Sequence, residues 1–227
     1  MALPLGPVVS RSDFQAKNMI NRSISIHTPS GPVHGQLERP DEARGLIIIA
    51  RAHHAPVDLE YAAVLNQHGF ATLIFELLSA HEIQFPDATQ NIPRLTQRLL
   101  DLLDLTRHDH DMVDLPIAIF ANGDTSPATI RASAQRDLQV KVVVCHGGMI
   151  DRAGLQSLKL LAAPLLSLFE SDDAQGKTNY ARAQPHLICP HQTHTLESFD
   201  DPAEIAAKWF LRNLPSTPRP AGSTLGV

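Results

Sequence analysis

The chain has 227 residues, which suits one domain with a full core and is short for two. With 43% hydrophobic and 19% charged residues it has the composition of a soluble globular protein. A formal net charge of -5, with no basic cluster, argues against a nucleic-acid partner.

In chain order, residues 1–19 read as a flexible lead-in, 20–214 as a single domain, and the Pro-rich stretch 215–227 as a disordered tail. Ser23 to Thr28 alternates at the strand period, Pro29-Ser-Gly31 turns, and Pro32 to Leu37 returns, predicting an antiparallel hairpin. Gly45-Leu-Ile-Ile-Ile-Ala50 reads as a strand buried on both faces. Leu59 to Gly69 fits a helix closed by its glycine, and Ala71 to Phe75 is the next strand. Ile92, Leu95, Leu99, Leu102, Leu103 and Thr106 mark one face of a long helix.

A strand over Ile117–Ala121 follows, then a helix over Pro127–Arg136 with Ser126 as its expected N-cap. Val140–Cys145, Pro164–Phe169 and His186–Cys189 are predicted as three more strands, and Ala203–Leu211 as a final amphipathic helix. Alternating strands and helices predict an α/β protein: a doubly wound, mainly parallel sheet with helices on both faces. Chemistry in such sheets collects at the carboxyl ends of the strands.

Several features bound the setting. The apolar runs are too short to span a bilayer, so no membrane partner is expected. Cys145 and Cys189 lie far apart and suggest no disulfide framework. Met1 to Pro7 lacks the charged start and apolar run of a secretory signal, so a cytoplasmic setting is expected.

The segment Leu115-Pro-Ile-Ala-Ile-Phe-Ala-Asn-Gly-Asp-Thr-Ser-Pro127 is the most informative. It reads as buried strand, tight turn and helix start. In serine hydrolases such a turn carries the attacking Ser within a small-x-Ser-x-small frame. Here the frame is Ala121-Asn122-Gly123-Asp124-Thr125, with Gly123 at its centre. Together with the hairpin before Gly45, the run Asn66 to Leu78, the run Ala163-Pro-Leu-Leu and the ending Ile205 to Leu214, it resembles the α/β-hydrolase superfamily. The likeness is to small dienelactone-hydrolase-like members and covers roughly Ile24 to Leu214.

The resemblance implies a triad in the order nucleophile, acid, histidine. The acid maps to Asp173, with Asp172 as a near alternative, and the histidine to His194. The nucleophile position is Gly123, which has no side chain to attack with. Where relatives carry His-Gly near the oxyanion hole, this chain has Arg51-Ala52-His53-His54. Asp124 places a carboxylate beside the expected oxyanion donor, which opposes charge development there. Glycine adopts the strained elbow conformation cheaply, so the fold survives the loss of chemistry.

Three readings follow. The first is a non-catalytic protein that keeps a pocket for a small apolar or carboxylated ligand. The second is an ester or lactone hydrolase using Asp124 as nucleophile with Asp173 and His194; its bland counterpart is Asp124 as a first-turn carboxylate favoured by the helix dipole. The third is a metal site at the strand ends, held by groups among His53, His54, Glu76, Asp124, His146, Asp173, His191 and His194; Arg51, His53, His54, Glu76, His146 and His191 are expected to line the pocket. No tight metal-ligand motif is present, and neither a metal nor a cofactor is expected. Arg51 is expected to bind an anionic ligand or to pair with Asp124 or Asp173. The run His108-Asp-His-Asp111 reads as a solvated loop, and Cys145 as a core thiol. The sequence does not fix an oligomeric state.

Overall fold

The computed structural model describes residues 19–52 and 57–215. The strands are β1 (Met19–Ile26), β2 (Val33–Pro40), β3 (Leu46–Arg51), β4 (Ala71–Glu76), β5 (Ile117–Asn122), β6 (Val140–His146), β7 (Leu165–Phe169) and β8 (His191–Thr195). The helices are α1 (Val57–Gln67), α2 (Ile92–Thr106), α3 (Ser126–Gln135), α4 (Leu155–Leu160), α5 (Ala174–Ala183) and α6 (Pro202–Asn213). One sheet orders them β1-β2-β4-β3-β5-β6-β7-β8. Pairing is antiparallel at β1–β2 and β2–β4 and parallel from β4 to β8. The expected doubly wound sheet with an antiparallel start is thus the observed one.

The side-chain period of two divides the central strands between two cores. Ile48, Ala50, Ile119, Ala121, Val143 and Cys145 face one core, which also takes buried residues of α2, α3, α4 and α5. Ile47, Ile49, Ala118, Phe120, Val142 and Val144 face the other, which is closed by α1 and α6. The strands read as continuous apolar runs because both faces are covered.

Local chemistry sets the helix ends. Asn91 accepts from the Arg94 N–H at 3.1 Å at the start of α2. Asp173 accepts from the Gly176 N–H at 2.7 Å to cap α5, and Asp201 accepts from the Ala203 N–H at 2.8 Å to cap α6. Gly69, at φ +83°, turns the chain out of α1, as its place in the sequence predicts.

Three expectations are corrected. The last strand is His191–Thr195; the stretch predicted as a strand at 186–189 follows a 3-10 turn over Gln184–His186. Pro185 and Pro190 bracket that stretch and remove two backbone donors. The helices α4 and α5 have weaker patterns and escape the sequence reading. Ser126 is the first residue of α3 rather than its cap, because a 3-10 turn over Gly123–Thr125 intervenes. The lead-in predicted over 1–19 and the tail predicted over 215–227 lie almost wholly outside the described residues; Met19 already belongs to β1.

Candidate functional site

The turn after β5 has the backbone of an elbow. Gly123 sits at φ +54°, a conformation that ordinary side chains adopt at a cost, and a Cβ built there meets no heavy atom within 4 Å. The turn is held from beneath. The Thr125 hydroxyl, fully buried, accepts from the Asn122 N–H at 3.1 Å and shares its own proton between the carbonyls of Ala50 and Asn122, each at 3.0 Å. Ser126 donates to the Gly147 carbonyl at 3.1 Å. The backbone of the loop after β6 presses against the tip: a Cβ on Gly148 would lie 2.2 Å from the Gly123 carbonyl oxygen. Glycine at 148 is therefore a packing requirement of the elbow.

Asp124 is exposed and has no hydrogen-bond or ion-pair partner among the described residues. Asp173 stands at the start of α5, its Oδ2 3.8 Å from the Cβ position of Gly147 and its Oδ1 bonded to the Gly176 N–H. His194 lies within β8 rather than after it, and its Nε2 is 3.1 Å from Asp200 Oδ2. Asp200 also accepts from the Glu197 N–H at 3.0 Å. That backbone bond first, and His194 second, hold the Asp200 carboxyl below its ordinary value. Among the described residues Asp173 makes no bond to His194.

The sheet register nevertheless brings a set of polar groups to one edge. Asn122 pairs with His146, His146 with Leu168, and Leu168 with His194. His146 Nε2 is 2.9 Å from Glu170 Oε1, while its Nδ1 is buried without a partner. The Tyr61 ring of α1 sits 6.5 Å from the His146 ring. Burial, and then the carboxylates of Asp201, Glu170 and Asp58, push the Tyr61 phenol up to about 12, so it stays protonated at neutral pH.

Arg51 does not pair with Asp124 or Asp173. Its guanidinium meets Glu76 at 2.8 Å and Asp58 at 3.3 Å, the latter almost wholly buried on α1. The β3–β4 register places Arg51 beside Glu76 and explains the choice. Asp58, Tyr61, Glu170 and Asp200 are the site residues that sequence reasoning missed; Glu170 alone was signalled, as the first residue after β7. His53 and His54, expected to line the pocket, lie outside the described residues. His191 points its Nδ1 at the Cys189 carbonyl, 2.9 Å away.

Burial pushes the Cys145 thiol up to about 12, so it is neutral and no substitute nucleophile. Among the described residues, ligand atoms of three candidate metal-binding side chains approach within 4.8 Å only at Asp109, His110 and Asp111. In that segment His108 and His110 are exposed, as a solvated loop predicts, but the two aspartates are engaged. Asp111 is buried, Arg22 of β1 pairs with both Asp109 and Asp111, and Arg39 of β2 stands 3.7 Å from Asp111. The cluster clamps the hairpin against the end of α2.

No family model matches the chain. Two Mycobacterium tuberculosis proteins, from strains CDC 1551 / Oshkosh and ATCC 25618 / H37Rv, are each 30% identical to it over 205 residues. Both are named as phosphoribosyl transferases; the match takes in 84% of this chain and 46% of theirs, so the chain spans about half their length. Among solved structures, dienelactone hydrolase from Anabaena variabilis ATCC 29413 superposes with a TM-score of 0.78 at 25% identity, over 87% of this chain and 99% of that one. A dienelactone hydrolase-like promiscuous phosphotriesterase from metagenomic libraries gives 0.66 at 14% identity, over 87% and 99%. A zinc-bound cold-adapted esterase from an Arctic intertidal metagenomic library gives 0.70 at 12%, over 88% and 96%.

Proposed function

On the dienelactone-hydrolase-like α/β-hydrolase fold that this chain has, we propose a small-ligand binder that has lost serine-hydrolase chemistry. The carrying observation is the elbow tip: the backbone is turned as for a nucleophile, and the space a side chain would fill holds only the hydrogen of Gly123. Two further facts support the reading. Asp173 is engaged with its own helix and His194 with Asp200, so acid and histidine are not coupled to each other.

The ligand is neutral rather than carboxylated. Arg51 is balanced by Glu76 and Asp58, and the exposed Asp124 and Glu170 carboxylates repel an anion. The exposed Glu170 carboxylate, 2.9 Å from His146 Nε2, offers a ligand hydroxyl or amide an acceptor. A cytoplasmic setting fits two free, buried thiols, Cys145 and Cys189. No helix among the described residues is long and apolar enough to cross a membrane. This chain spans 46% of the length of the mycobacterial relatives, so their transferase name does not extend to it.

The test is hydrolysis of p-nitrophenyl acetate and dihydrocoumarin by the full chain, its His194→Ala variant and its Asp124→Asn variant. The expected result is one common background rate. Wild-type turnover that vanishes in Asp124→Asn would overturn the reading in favour of a carboxylate nucleophile.

A further inference from the structure

We propose that the cleft between α5 and the edge strand β8 is a second ligand site, built for a small polyhydroxylated phosphate monoester of the monosaccharide-phosphate class. It lies on the α5 side of the sheet, away from His146 and Tyr61, and has a volume of about 420 Å³. That suits one sugar ring with one anionic substituent.

The floor is aromatic. Phe169 and Tyr180 meet edge to face with ring centroids 5.8 Å apart and are 4% and 7% exposed, so they close the bottom of the cleft and leave its polar walls to meet the ligand. Tyr180 is only 7% exposed, yet its hydroxyl has no hydrogen-bond partner among the described residues. The ring is buried but the hydroxyl oxygen is not, so it reaches the cleft as a donor and acceptor. Burial first, and then Cys189, push it up to about 12, which keeps the proton in place.

The walls supply the rest. His191 Nδ1 is 2.9 Å from the Cys189 carbonyl, and a carbonyl only accepts, so Nδ1 carries the hydrogen. The neutral ring therefore leaves Nε2 as an acceptor for a ligand hydroxyl. Lys177 spends one N–H on the Ser171 carbonyl at 2.8 Å and keeps two. No lining side chain carries a carboxylate, so Lys177 faces the cleft uncompensated on a chain of net charge -5. The amide of Gln184 and the hydroxyl of Thr193 complete a lining rich in hydrogen-bonding groups. One fixed positive charge and several neutral donors and acceptors match a polyhydroxylated ligand bearing one phosphate.

Titration calorimetry on the full chain with glucose 6-phosphate, glucose and inorganic phosphate tests this. Glucose 6-phosphate should bind more tightly than either fragment. Lys177→Gln and Tyr180→Phe should each weaken it by about three- to tenfold, the scale of one lost hydrogen bond. Lys177→Gln alters a side chain outside the core, so its result stands even if Tyr180→Phe unfolds. The proposal is overturned if glucose 6-phosphate binds no better than phosphate, or if its affinity is unchanged in Lys177→Gln. Either outcome leaves the Gly123 edge unaffected, because the probe, the variants and the readout are different.

Discussion

The elbow and the acid–histidine side of the same sheet edge keep the hydrolase pattern to different degrees. At the elbow, backbone geometry persists: Gly123 at φ +54°, Thr125 stitched to Ala50 and Asn122, and Gly148 pressed on the tip. Across β6 to β8 the expected residue types are present but serve other bonds, Asp173 capping α5 and His194 pairing with Asp200. The contrast teaches which parts of a catalytic site the fold also needs. Elbow contacts connect β5, β3 and α3, so packing preserves them without catalysis. An acid–histidine bond would join the start of α5 to β8, and no packing contact of the fold depends on it, since Asp173 and His194 each have another partner.

The comparison is broken most severely at Gly148. Gly148→Ala puts a Cβ 2.2 Å from the Gly123 carbonyl and strains a φ of +89°. A loss of about 3 kcal/mol is expected from overpacking plus backbone strain, read as a lower denaturant midpoint at unchanged slope. Thr125→Val keeps the shape but removes a buried hydroxyl that satisfies the Asn122 N–H. A cost of about 2 kcal/mol follows from leaving that group unpaired. Near-neutral behaviour of either variant would show that the elbow is not held by packing.

The fold was legible because hydrophobic period and glycine placement are local signals. Ile47 to Ala50 and Ile117 to Ala121 show burial on both faces, and Gly69 and Gly123 mark turns with positive φ. The site was legible only as residue types on an edge. Arg51 chose Glu76 through strand register and Asp58 through the position of α1, neither of which a linear sequence shows. His194 found Asp200, six residues on, because β8 starts after Pro190 and the chain turns back before α6. The pairing of Arg22 with Asp109 and Asp111 spans nearly ninety residues and is invisible to any local pattern.

Gly123→Ser sharpens the comparison by restoring one side only. The new Cβ meets no atom within 4 Å, so the cost is confined to the backbone conformation, about 1 kcal/mol. Ester hydrolysis should remain at background, because a serine there has no histidine coupled to Asp173 to take its proton. Appearance of a burst of p-nitrophenol in this variant would mean that His194 leaves Asp200 readily and that the relay is intact in solution.

The smallest effect is expected from Asp200→Asn, and it depends on pH. The Asp200 carboxyl sits below its ordinary value in the folded chain because the Glu197 N–H and His194 favour its charge. A depressed carboxyl adds stability above its unfolded pKa of about 3.9 and loses it as pH falls through the folded value. Wild type and Asp200→Asn should therefore differ near neutral pH and converge in acid, with the change confined to the region below about pH 4. A difference that grows on acidification has the wrong sign for this pairing and would place His194 with another partner. Convergence, with the same variant still inactive on esters, would mean that Asp200 stabilises the β8–α6 connection without holding back a latent catalyst.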